Sequence, residues 1–175
     1  LCLTSLAGGA KDNVIPGSCQ ATLVAMGINL ERINGIAEQL QAEIREQYDE
    51  PTATVQAFDV DALGGNSLST ESTAKVISLL CAAPNGVQAW SKDIEGLVQT
   101  SLNLGVVNLN ETLTLDFAVR SSVNREKQEL RDQLRELAQM TGAEYSDSGD
   151  YPAWEYKADS RLRDIMVKTY RDLFD

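Results

Sequence analysis

Leu113, Leu115, Phe117 and Val119 recur at every second position, while Thr114, Asp116 and Arg120 occupy the alternate ones. A two-residue period suits only an extended chain, whose successive side chains point to opposite faces, so this stretch reads as a half-buried strand. Upstream, Val98, Thr100, Leu102 and Leu104 alternate with Gln99, Ser101 and Asn103, and Asn108-Leu109-Asn110 supplies a turn between the two runs. The pair is an antiparallel hairpin with one apolar and one polar face. Such a hairpin cannot stand alone in water. The rest of the chain must cover its apolar side.

The same order of elements occurs twice. Thr4-Ser5-Leu6 and Thr100-Ser101-Leu102 each open a strand–turn–strand–helix unit. In the first, residues 1–6 and 19–26 are strands, with Cys19, Ala21, Leu23 and Ala25 on one face. Asn29 then caps a helix whose stripe is Leu30, Ile33, Ile36, Ala37, Leu40, Ile44 and Tyr48, ending before Pro51. In the second, Asn124 caps a helix with Leu130, Leu134, Leu137 and Ala138 inward, a solvated face including Glu129 and Arg131, and a stop at Gly142. Between the units, residues 52–60 alternate like a strand and Gly64-Gly65-Asn66 makes a turn. A helix over 70–83 carries Ala74, Ile77, Leu80 and Cys81 as its stripe. Asp59 and Asp61 lack a third ligand at metal-loop spacing and read as solvated loop residues. After residue 142 come a short strand at 143–145, a polar loop at 146–150, the aromatic segment Tyr151-Pro152-Ala153-Trp154, and a helix capped by Ser160. That helix repeats Leu162, Ile165, Met166, Thr169 and Leu173. The expected fold is α/β of the α+β kind: a two-layer sandwich with a mostly antiparallel sheet, helices on one face, and two ferredoxin-like hairpin–helix units. The other sheet face is left free to meet something.

Composition removes several functions. There is no histidine among the 175 residues, which excludes Ser-His-Asp and Cys-His catalysis and the commonest zinc ligand. A net charge of −11 argues against nucleic acid as a partner. The scattered Cys2, Cys19 and Cys81 form no disulfide framework and fit a reducing cytosol, and no apolar run is long enough for a membrane span. The length suits one domain or one large piece of a longer protein. The absence of an initiating Met points to an excised piece.

Gly8-Gly9-Ala10-Lys11-Asp12 followed by Asn13-Val14-Ile15-Pro16 joins the first two strands. Its residues favour turns, and Pro16 pushes Ile15 to an extended geometry. Two readings are open on pattern alone: a hairpin loop whose Asn13 caps its own turn, or a loop that presents an amide to a ligand. Arg120 reads on pattern alone as a partner for Asp116 on its own strand face.

Several segments, taken in order, resemble the cytosolic aminoacyl-histidine (non-specific) dipeptidases. Gly8-Gly9 with Asn13-Val14-Ile15-Pro16 resembles a "GG…N-[AV]-IP" loop, Ala83-Pro84-Asn85-Gly86-Val87 a "PNGV" segment, and residues 96–107 a "G-[LV]-V-E-T-S-L-N-x-G-V-V" segment. Val119-Arg120-Ser121-Ser122, Tyr151-Pro152-Ala153-Trp154 and residues 160–174 also fit in order and spacing. Gly17 stands where many such proteins carry Arg, and Ala153 replaces a common Gly.

The resemblance implies a di-zinc metallopeptidase, of which residues 1–150 match the lid or dimerisation domain, truncated at its start, and residues 151–175 the return into the catalytic domain. It implies that this chain binds no cofactor itself, that two zinc or other divalent ions sit in the catalytic domain of the same polypeptide, and that this chain alone is inert. By motif, Asn13 would hydrogen-bond a dipeptide substrate of the Xaa-His type and Arg120 would clamp its terminal carboxylate. Asn103, which shares a face with Ser101 by parity, would add to that substrate-binding side, although a cross-strand polar pair is the stronger reading of it. A homodimer in the cytoplasm is implied, with neither nucleic acid nor membrane as partner. The competing expectation is a stand-alone ferredoxin-like module that oligomerises or binds a small ligand without catalysis.

Overall fold

The computed structural model describes residues 1–60 and 66–174. Along the chain come β1 (Cys2–Gly8), β2 (Cys19–Val24), α1 (Leu30–Tyr48), α2 (Thr70–Ala82), β3 (Gly86–Trp90), β4 (Val98–Leu109), β5 (Leu113–Ser121), α3 (Asn124–Thr141) and α4 (Arg161–Phe174). The strands form one antiparallel sheet, so the α+β architecture expected from the repeated hairpin–helix units is present. Asp61 and the Gly64-Gly65 turn lie outside the described residues.

β4 is the strand on which the sheet is built. β5 pairs along one of its edges, from Thr100 opposite Ser121 to Leu109 opposite Leu113. The other edge is shared end to end: β3 takes the first half, with Gly86 opposite Leu102, and β1 takes the last turn, with Gly8 opposite Val107. A bulge between Leu104 and Val106 changes the alternation of β4. Before it, Thr100 and Leu102 are buried; after it, Leu109 is. One extra residue thus keeps apolar side chains on the helix-facing side along the whole strand, which a strict period of two would not.

The core lies between this face and α2 and α3, which pack on β1 and β5 respectively and on each other. Leu3, Val76 and Leu109 form its centre, with Leu6, Leu68, Leu80 and Leu113 around them. Burying each such side chain is worth about 1.5–3 kcal/mol. α2 turns a different side inward from the one its hydrophobic residues indicate: Thr73 and Val76 are buried, whereas Ala74, Ile77 and Cys81 are exposed. The cause is a backbone group. Thr73 Oγ1 accepts the Leu3 N–H at 3.0 Å, at the place where β1 breaks register with β2.

Other expectations need correction. Residues 52–60 form no strand; Val55 N–H donates to Gln41 Oε1 and Arg45 donates to the Ala53 carbonyl, so this stretch is tied to α1 rather than to a sheet. Residues 143–145 form no strand either. Asn124 does not cap α3, since Val123 holds the cap position and the Asn124 side-chain Oδ1 accepts the Ala153 N–H at 2.8 Å. The stripes of α1 and α4 are mostly open to solvent: only Ala37 is buried on α1, Ile36 is 59% exposed, and nothing on α4 is buried.

Nor is the polar side of α3 simply solvated. Residues 145–153 run back along it as a strap. Arg135 stacks over the Tyr145 ring, Arg131 pairs with Asp147 and Asp150, and Lys127 pairs with Asp150 at 2.7 Å and donates to the Tyr151 carbonyl. The Lys127 and Arg131 side chains keep only 13% and 21% exposure. The Lys127 ammonium beside Asp150 holds that carboxyl below its ordinary pKa.

The first turn of α3 is held to the sheet by Glu126. Its carboxylate accepts from Thr100 Oγ1 and, at 2.8 Å, from Gln99 Nε2, and Thr100, 2% exposed, also meets Ser121 Oγ at 2.7 Å. The Thr100 hydroxyl, then the Gln99 amide, lowers the Glu126 pKa below 4.5. A carboxyl depressed by folding adds stability above its unfolded pKa, and that part is lost as pH falls through the folded value. Glu126→Gln is therefore expected to lower the urea midpoint at neutral pH and to show a shallower fall below pH 4.5 than the parent. Parallel pH curves for the two proteins would refute this.

Candidate functional site

The sheet face away from α2 and α3 carries Ser101 and Asn103 from β4, and Ala118 and Arg120 directly opposite them on β5. Past the bulge, Val106 and Asn108 face Asp116 and Thr114. No helix covers this surface in the described packing.

Between the ends of β3 and β1, a short length of β4 has no strand beside it. Two asparagines and two glycines fill the gap. Asn85, just before β3, accepts the Leu104 N–H on its side-chain oxygen at 2.8 Å. Asn103 donates both amide hydrogens, to the carbonyls of Asp12 and Val14, each at 2.8 Å. The loop after β1 is thereby drawn against the strand. A β-carbon on Gly105 would collide with the backbone of Lys11 and Asp12, and one on Gly9 with the Gly105 carbonyl.

Within the loop, residues 11–14 form a turn closed by Val14 N–H donating to the Lys11 carbonyl at 3.2 Å. Asp12 Oδ1 accepts the Asn13 N–H at 2.9 Å. The residue that caps the turn is Asp12, not Asn13. Asn13 sits between the two carbonyls that Asn103 holds, is exposed, and has no side-chain hydrogen bond among the described residues. Arg120 is exposed too and forms no ion pair with Asp116 among the described residues. It lies opposite Ser101, two residues along β4 from Asn103.

The fold therefore gathers Asn13, Arg120 and Asn103 at one open face, although they are far apart in sequence. Their chemistry differs. Asn13 offers an uncommitted amide and Arg120 an uncommitted guanidinium, a pair suited to a small ligand with a carbonyl or amide at one end and a carboxylate at the other. Asn103 has spent its donors on the loop. Asn85 and Gly105 belong to the same construction, and sequence reasoning missed both. Asn85 stands beside a turn glycine, so its type is explained by the turn alone. Gly105 interrupts an apolar run, and an isolated glycine within a strand pattern is the signal that could have marked both the bulge and the close approach of the loop.

The residues present do not fit a metal pair. The chain has no histidine, and among the described residues no three of Cys, Asp and Glu stand close enough together to hold an ion. No described helix is long and apolar enough to cross a membrane.

No family model matches the chain. It is 28% identical over 171 residues to the cytosol non-specific dipeptidase of Escherichia coli (strain K12), an alignment that takes in 96% of this chain and 35% of that protein. Its fold superposes on the crystal structure of aminoacylhistidine dipeptidase from Vibrio alginolyticus with a TM-score of 0.86 at 25% identity, over 99% of this chain and 36% of that one. The resemblance read from the ordered motifs is thus borne out in both sequence and fold. The chain spans about a third of the length of each of these relatives.

Proposed function

We propose that these residues are part of a dipeptidase and form the region that covers and grips its substrate. Residues 1–150 are the lid, and residues 151–175 lead back toward the part that carries the metals and the general base. One observation carries this reading. Asn13 and Arg120, matched by motif to substrate-binding positions, converge on one uncovered face with their polar groups unspent, on a chain that follows two dipeptidases over nearly its whole length. Arg120 takes the terminal carboxylate of the dipeptide, Asn13 hydrogen-bonds nearer the scissile amide, and closure over the cleft excludes water. The substrate class is dipeptides, those ending in histidine included, and the compartment is the cytoplasm.

Two further features support a division of this kind, set just after Ala153 rather than at residue 150. α4 and Trp154 expose apolar side chains that a neighbouring body would cover, while the strap fixes residues 145–153 to the lid. The bare apolar side of α1 likewise favours assembly of two lids into a homodimer.

Purified residues 1–175 are expected to hydrolyse no dipeptide with zinc, manganese or cobalt added, whereas the full-length protein turns dipeptides over. Turnover by the short chain would sink the proposal, and so would a full-length protein inert toward every dipeptide. Sizing of the full-length protein checks the assembly, with a strictly monomeric profile counting against it.

A further inference from the structure

We infer that Asn103 is a positioning residue: it does not touch substrate but sets the loop that aims Asn13. The inference rests on the dipeptidase reading for what Asn13 does, though not for how the loop is held.

The geometry leaves Asn103 little else to donate. Its amide nitrogen bears two hydrogens, and they go to the carbonyls of residues 12 and 14, on either side of Asn13. Holding both carbonyls fixes the peptide units flanking Asn13 and hence the direction in which its side chain leaves the backbone. The two bonds fall on a loop whose own internal bonds are few: one turn bond at Val14, the Gly9 N–H to the Ser18 carbonyl at 3.3 Å, and the Asp12 side-chain cap. The anchor is firm, because Asn103 lies in the central strand with β5 paired along one side and Asn85 holding the next N–H on the other. A ligand-binding amide on a loop gains from such support, since ordering it in advance lowers what binding must supply.

The donor count yields a sharp variant. Asn103→Asp keeps the shape of the side chain and its oxygens but loses both donors, placing a carboxylate against two carbonyls. A residue that met substrate through its oxygen would tolerate this change; one that holds carbonyls would not. The test uses the full-length protein, as parent, Asn103→Ala, Asn103→Asp, Asn13→Ala and the double variant Asn13→Ala/Asn103→Ala. Hydrogen exchange reads the loop without reference to activity. The Gly9 and Val14 amides are expected to exchange about tenfold faster in both Asn103 variants, with β4–β5 amides unchanged. In kinetics, kcat/KM for a dipeptide is expected to fall about tenfold in Asn103→Ala and at least as far in Asn103→Asp. The double variant is expected to match Asn13→Ala, because a positioning role vanishes once its target is gone. Loop exchange at the parent rate overturns the inference, as does a double variant in which the two losses multiply. Failure of the dipeptidase reading shows differently: Asn13→Ala then turns over as the parent does, while the exchange result still decides how the loop is held.

Discussion

Gly9→Ala is expected to cost about 3–5 kcal/mol of folding stability, more than most single substitutions do. Two costs act together. Gly9 has a φ of 74°, where a side chain is strained by about 1–2 kcal/mol. Its β-carbon would also overlap the carbonyl oxygen of Gly105, a backbone atom of the central strand that cannot swing aside. Relief requires β1 to part from β4, although Gly8 pairs with Val107 one residue earlier. Gly105→Ala is expected to be milder, since the groups it would strike, the Lys11 and Asp12 carbonyls, belong to a loop that can lift away. Urea unfolding of both variants checks the order. A Gly9→Ala protein within about 1 kcal/mol of the parent would show that the junction is less tight than described.

Arg120→Ala in the full-length protein is expected to lower kcat/KM for free dipeptides by about 100- to 1000-fold, the scale of losing a charge-assisted, bidentate carboxylate contact. The surrounding charge makes the effect larger. With a net charge of −11 and Asp116 on the same open face, the chain disfavours a carboxylate there unless a cation receives it. Arg120→Lys is expected to recover little, because an ammonium cannot present the paired donors of a guanidinium. The control is a dipeptide amidated at its C-terminus, which offers no carboxylate and should be hydrolysed at similar rates by parent and variant. Equal losses on the free and amidated substrates would assign Arg120 to the structure of the sheet edge, and unchanged kinetics would remove it from the site.

The long-range stitching is where sequence reading stopped. β4 and β5 were legible because a two-residue period is hard to produce any other way, and α3 because Leu130, Leu134 and Leu137 keep helical spacing over several turns. β3 carries no comparable signal: it spans only Gly86–Trp90, follows a proline–asparagine turn signal, and is exposed at every residue but Ala89, so no buried face marks it. Residues 52–60 alternate like a strand, yet Gln41 and Arg45 take up backbone groups that a sheet would have paired. Thr73 displaced the expected face of α2 because a hydroxyl meeting a backbone N–H can be buried as readily as a methyl group. At the site, Asn13 and Arg120 were named through family motifs rather than through any local pattern. Asn103 was placed with the ligand because its parity puts it on the right face. Parity cannot say which neighbour takes the donors, and here that neighbour, the loop at 12–14, is some ninety positions away in sequence.

The strap along α3 has a mechanical consequence. The connection from Gly142 to α4 could have served as a long, slack tether. It is instead clipped to α3 as far as Ala153, and at its far side Arg163 donates to the Lys157 and Ala158 carbonyls and stacks on Tyr156. Slack remains only around Trp154 and Glu155, a reach of about 10 Å when fully stretched. α4 can pivot about that point but cannot drift far from the strap. Because Ala153 is held by Asn124, four residues beyond Arg120, that short free stretch begins close to the end of β5.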